Sequence, residues 1–215
     1  MTKAIGVLAL LVLSGCAGAL HTANPSSDEP EYARDATAPF KAAASYAEAV
    51  RVWETPADVN AWIAANVSYD IARAMRLSET QRALTGRIAI YRPSEFFEKK
   101  AGVCVDLSRF GVETLRTIDP ASDPKYLMIE FDPVEIKGHA LRRHWLVSFK
   151  RGGKIYFFSD SKRPGHIAGP YDDTRTFIDE YERYRGRRIV AFRELESYEK
   201  QRRSQARRQP LEPRD

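Results

Sequence analysis

The sequence predicts an α+β fold in which N-terminal helices, one of them opening on a cysteine, pack against an antiparallel β-sheet. Three observations predict it. Helix-forming segments with caps fill the chain as far as residue 118. Runs rich in aromatic and β-branched residues take over from residue 125. Gly152-Gly153 lies between two of those runs and marks a hairpin, which makes the neighbouring strands antiparallel. Composition agrees with one globular domain: 215 residues, 43% hydrophobic and 29% charged. A chain of this length buries a sizeable core without staples. Its two cysteines exclude a disulfide framework or a Cys-rich zinc site. No apolar run reaches the roughly 20 residues of a spanning helix.

The elements follow in order. Residues 40–53 are Ala-rich and predict a helix. Thr55-Pro56-Ala57-Asp58 starts the next, with Thr as N-cap, Pro in the first turn and an acid third, and it runs to Asn66 with Val59, Trp62 and Ile63 inward. Residues 70–84 predict one or two short helices, and Pro93-Ser94-Glu95 opens another, which Gly102 would close. From Cys104 to Ile118 the spacing of Leu107, Gly111, Leu115 and Ile118 predicts one helix face, and Asp119-Pro120 ends it. Strands are predicted over 125–131, 144–150, 154–159 and 188–193. A helix over 172–185, with Phe177, Ile178 and Tyr181 inward, lies between the last two. Trp53 and Trp62 read as core, Tyr181 and Tyr184 as core and rim.

The two ends carry different signals. Residues 1–15 have one early positive charge, Lys3, and a ten-residue apolar stretch from Ala4 to Leu13, the pattern of a signal peptide. The LSGC that closes it resembles the lipobox of bacterial lipoproteins, which implies cleavage before Cys16 and acylation of its sulfur. Ala rather than Asp at position 17 resembles the sorting pattern of outer-membrane lipoproteins. The expectation is a cell-envelope protein at the periplasmic face of the outer membrane, or of the inner membrane, held by acyl chains on Cys16. Residues 16–39, rich in Pro, Ser and acids, read as a flexible linker, 40–198 as the folded domain and 199–215 as a polar, disordered tail. From Arg183 onward eleven Lys/Arg face five Asp/Glu, a local +6 against +5 for the whole chain. The basic charge therefore belongs to the tail. It suits contact with anionic lipid or plain solvation better than nucleic acid, which is not the usual partner of an exported protein.

Acylation of Cys16 would leave Cys104 as the sole thiol. It opens a helix, where partial positive charge and orphan N–H donors favour a thiolate. His144 begins a strand, and Asp160 follows the end of the next, which the glycine hairpin folds back beside the first. Thiol, imidazole and carboxylate are the groups of nucleophilic acyl transfer.

The segments that hold them resemble the transglutaminase-like superfamily, whose fold is papain-like. GVCVDLSRFGVETLR is similar to its catalytic-cysteine helix, HWLVSF to its His-Trp strand, and YFFSDS to the strand ending in its aspartate. The order matches, over about residues 55–165. The resemblance implies Cys104 as nucleophile, His144 as base and Asp160 as its orienter. NVSYD is similar to the upstream tyrosine segment, which implicates Tyr69 in oxyanion binding, with Gln81 a weaker alternative. The sequence departs from the family at one point: the family often has His-Ala-Trp, whereas Trp145 here follows His144 directly. His139-Ala140 is a rival base in a turn-like stretch.

Plainer readings stand beside these. By these plainer readings Cys104 is a core thiol, His144 a strand histidine among aromatics, Asp160 a turn cap, Asp106 a helix-dipole acid and His166 a loop residue. Cys104 and the histidines lack metal-ligand spacing, so neither metal nor cofactor is expected. The enzymatic expectation is a transglutaminase-like cysteine peptidase, amidase or acyltransferase acting on amide bonds of a peptide, a protein or peptidoglycan, hydrolysis favoured over cross-linking. The alternatives are a non-catalytic envelope binding or scaffold module that keeps the fold, and a structural lipoprotein working through its tail.

Overall fold

The computed structural model describes residues 37–78, 88–136, 138–159 and 166–199. Cys16, the predicted signal segment, Gln81, Asp160 and the basic tail lie outside the described residues.

Among the described residues, five helices precede the five-stranded sheet. α1 spans Tyr46–Val52 and starts later than the Ala-rich stretch predicts. The reason is a cap: Ser45 Oγ accepts the Glu48 N–H, and the Glu48 carboxylate takes the Ala44 N–H at 2.8 Å. α2, Pro56–Asn66, begins at the capping box expected of Thr55 and Asp58. β1 (Ser68–Tyr69) leads into α3 (Ile71–Leu77), capped by the Asp70 carboxylate. α4, Pro93–Lys99, is closed by Lys100 in the left-handed region at φ 50°, where Gly102 was expected. Gly102 is instead the second residue of β2 (Ala101–Gly102), which pairs parallel with β1. Its missing side chain serves packing, since a Cβ there would lie 2.6 Å from the Phe96 ring. α5, Cys104–Ile118, matches its predicted bounds.

After a short 3-10 turn, Pro120–Ser122, come β3 (Lys125–Ile136), β4 (His139–Arg151), β5 (Lys154–Phe158), β6 (Ala168–Tyr171), α6 (Thr174–Arg185) and β7 (Ile189–Leu195). They form one antiparallel sheet in the order β6-β5-β4-β3-β7. β3 and β4 run further than their apolar cores predict. Their charged outer halves still pair, with Glu130 opposite Arg143 and an ion pair at 3.3 Å between them. β6 was not expected, because AGPY has no strand alternation; it is a short edge.

The sheet is covered on both faces. Tyr126, Leu127, Met128 and Ile129 are successive and all at most 1% exposed, so β3 reads as a continuous apolar run rather than an alternating one. Tyr126, Met128, Trp145, Val147, Phe149 and Phe158 face α1, α2, α4 and α5 in one core. There Trp62 stacks on Phe97 at 4.6 Å. Leu127, Ile129, Phe131, Leu146 and Phe157 face α6 in the other, where Phe177 stacks on Phe157 at 4.0 Å. Tyr181 is buried in this second core and Tyr184 is exposed at its rim.

Candidate active site

Cys104 is the first residue of α5, after Val103 as N-cap. Position along the sheet follows from packing. A Cβ on Gly111 would lie 2.6 Å from Val147 Cγ2, so α5 rests almost directly on β4 at that point. Toward its C-terminus, Arg116 Nη2 donates to the Pro124 carbonyl at 3.3 Å, beside the start of β3. Tyr126 of β3 pairs with Val147 of β4. Going the other way, the seven residues from Gly111 back to Cys104 cover about 10 Å of helix. They lead toward the end of the sheet where β4 passes Trp145 and β5 stops at Phe158, two residues short of Asp160. The side chain of Cys104 is 7% exposed and joins the core of the α5 face.

The turn that carries Cys104 is fastened by a buried ion pair. Asp106, fully buried, accepts Arg73 Nε at 2.7 Å and Arg73 Nη2 at 2.8 Å, a bidentate fork. It also accepts the N–H groups of Tyr91 at 3.0 Å and Val103 at 3.1 Å. Four donors therefore satisfy one carboxylate. Arg73 itself is 3% exposed, lies 3.7 Å over the Tyr91 ring and donates to the Ala89 carbonyl. Burial weakens its hold on the proton, but the Asp106 carboxylate outweighs burial and the net shift is upward. Asp106 does support the helix start, as expected, but its partner Arg73 was not legible. In DIARAMRL an arginine at helical spacing reads as a solvated charge, and its acid lies 33 residues away.

β1 and β2 bring the tyrosine segment to the same turn. Tyr69 lies in register with Gly102, and the Asp70 N–H donates to the Gly102 carbonyl at 2.9 Å. The backbone of Tyr69 thus runs two residues from Cys104 in register, by a pairing of two-residue strands too short to leave a sequence pattern.

The structure does not bring His144 to Cys104. Successive side chains of a strand point to opposite faces. Trp145 and Val147 lie in the α5 core, whereas Leu146 lies in the α6 core. His144 shares the face of Leu146. It is fully buried, its ring stacks on Tyr181 at 6.1 Å, and Nε2 lies 3.2 Å from the Tyr181 hydroxyl. Arg185 Nη1 donates to that same hydroxyl at 3.1 Å. The departure from the family pattern carried this signal. In His-x-Trp the two residues share a face; in His144-Trp145 they cannot. The position two before Trp145 holds Arg143.

His139, the rival, belongs to β4 rather than to a turn, as its first residue. Its Nδ1 lies 3.2 Å from Ser78 Oγ. Ser78 caps the C-terminus of α3, the helix whose Arg73 grips Asp106. One short helix therefore links His139 to the Cys104 turn. His166 precedes β6, and its carbonyl accepts from the Asn60 amide at 3.2 Å. Among the described residues no group of three His, Cys, Asp or Glu side chains is arranged to hold a metal ion, and no helix is long and apolar enough to cross a membrane.

The family model of the transglutaminase-like domain matches residues 42–161. That stretch runs from the approach to α1 to just beyond β5, and so contains the Cys104 helix, β1 and the whole of β4. Among solved structures, calcium-bound LapG of Legionella pneumophila aligns over 67% of this chain and 70% of its own, at 14% identity and a TM-score of 0.36. That likeness is too distant to carry an argument. None of the curated proteins matches the chain.

Proposed function

The chain belongs to the transglutaminase-like domain family, and from that premise we propose that it is a thiol enzyme of the cell envelope acting on amide bonds of a peptide, a protein or peptidoglycan. The observation that carries the reading is the seat of Cys104: first residue of a 15-residue helix, its turn clamped and the tyrosine strand alongside. The thiolate attacks the amide carbonyl carbon, and helix-start N–H groups take up the developing oxyanion. The imidazolium protonates the departing amine as the C–N bond breaks, leaving a thioester. Water, deprotonated by the imidazole, then releases a carboxylic acid and the free thiol. An amine in place of water would cross-link instead. His139 stands as the imidazole because the contacts of His144 lie on the α6 side of the sheet; Asp160 stands as orienting acid on sequence grounds. The pattern around Cys16 supports a lipid anchor at the periplasmic face of the outer membrane, and the tail a contact with anionic lipid. Incorporation of labelled palmitate, lost in Cys16→Ala, tests the anchor.

The thiol is tested by carboxymethylation with iodoacetate against pH. Cys104 is expected to react with a midpoint well below the roughly 8.5 of a free thiol. His139→Ala should raise that midpoint and His144→Ala should leave it. A shift in His144→Ala alone would return the role to His144. A second reading rests on the 7% exposure of Cys104 and the seating of His144 in the other core: a binding or scaffold module that keeps the fold without the chemistry. A midpoint near that of a free thiol in every variant favours it.

A further inference from the structure

The Arg73–Asp106 pair sits where it bears directly on the thiol. An acid two residues from a cysteine, in the same helical turn, opposes ionisation of that cysteine when it stands alone, because like charges in a poorly solvated turn repel. Asp106 does not stand alone. Both of its oxygens are occupied by the guanidinium of Arg73, and the pair is closed off from water, with side chains 4% and 0% exposed. The same guanidinium is pinned from two further sides, by the Ala89 carbonyl and the face of Tyr91. Its geometry is therefore set independently of Cys104.

We propose that Arg73 is a positioning residue for Cys104: it holds Asp106 in a neutral, immobile pair and so keeps the helix start hospitable to a thiolate. The proposal rests on the reading of Cys104 as nucleophile. It gives Asp106 a purely structural task, to bind the N–H groups of Val103 and Tyr91, whose electrostatic cost to the thiol Arg73 cancels. Among the described residues, the following charged groups of neighbouring elements have partners of their own. Asp70 caps α3 through the Arg73 N–H at 2.8 Å, Arg109 pairs with Glu113 at 2.8 Å, and Arg143 pairs with Glu130. Lys99 lies over the far side of the Tyr91 ring at 5.1 Å. Arg73 is the cation in direct contact with Asp106, so its removal leaves the acid uncompensated.

The experiment is the pH dependence of Cys104 carboxymethylation in the full chain, with circular dichroism to show that each variant is folded. Arg73→Met should raise the midpoint by about one pH unit, a roughly tenfold slower reaction below it. Asp106→Asn should lower it, because Arg73 then faces no acid. The double variant Arg73→Met/Asp106→Leu should return it to within a few tenths of a unit of the parent, since both charges are gone. If Arg73→Met does not fold, the Asp106→Asn and double variants carry the test. A purely structural role predicts altered unfolding with one unchanged midpoint throughout, and that result overturns the proposal. So does a double variant whose midpoint stays well above the parent's. A parent midpoint near that of a free thiol removes the nucleophile reading, and the proposal with it; a depressed parent midpoint that neither charge moves removes the proposal alone.

Discussion

The two faces of the central sheet bury comparable aromatic cores but set their buried arginines to different tasks. On the α5 face the buried arginine, Arg73, meets a carboxylate in a bidentate fork. On the α6 face Arg185 donates to the Tyr181 hydroxyl, and Arg187 reaches the Asp132 carbonyl through Nε at 3.2 Å and Nη2 at 2.8 Å while lying 4.6 Å over the Phe131 ring. The first arrangement fixes a helix start and puts a neutralised acid beside a thiol. The second fills the far side of the sheet and takes in His144. One strand, β4, supplies both, with Trp145 on one side and His144 on the other. The lesson is that a histidine's position in a motif does not decide what it touches; the parity of the strand does.

The comparison is broken most forcefully by deleting a large ring from either core. Trp62→Ala on the α5 side and Phe177→Ala on the α6 side should each cost about 3–5 kcal/mol in urea unfolding. If one of them costs under about 1 kcal/mol, the two cores are not equal supports of one sheet. Next, Tyr181→Phe removes the hydroxyl that serves both His144 and Arg185. It should cost about 1–3 kcal/mol by the same measurement and leave the rate of Cys104 carboxymethylation unchanged. A change in that rate would mean that the faces communicate. Gly111→Ala acts on the α5 side by forcing a methyl against Val147. Overpacking of about 1–3 kcal/mol, less up to about 1 kcal/mol of gained helix propensity, leaves a net loss measurable by thermal unfolding.

The smallest effect concerns the α2 cap. Burial draws the Asp58 carboxyl up, but the N–H groups of Glu54 and Thr55, the Thr55 hydroxyl and Lys41 outweigh it and hold the group below the ordinary carboxylate range. A carboxyl depressed in the folded state adds stability above its unfolded value, and that share is lost as pH falls through the folded value. Asp58→Asn should therefore cost about 1 kcal/mol at neutral pH and nothing in strong acid, a convergence that unfolding curves at the two pH values would show.

Much of the α5 side was legible because its cues are local. Thr55-Pro56-Ala57-Asp58 starts α2, and the four-residue spacing about Gly111 outlines α5. The limits were local too: Ser45 outbid the Ala-rich run for the start of α1, and Lys100 rather than Gly102 took the left-handed position after α4. For the candidate site, the sequence brought Cys104 to the head of its helix and the Tyr69 segment into consideration. It named His144 as base and His139 as its rival from motif order, without reference to side-chain parity.

By itself, then, the sequence determined the order of helices and strands, the antiparallel hairpin and the helix-opening cysteine, since caps, periodicity and turn residues act within a few positions of one another. Only the tertiary structure decided that His144 meets Tyr181, and that Arg73 and Asp106 meet. Both are relations between residues dozens of positions apart. They are set by which face of a strand a helix covers and by where a buried charge finds its counterion.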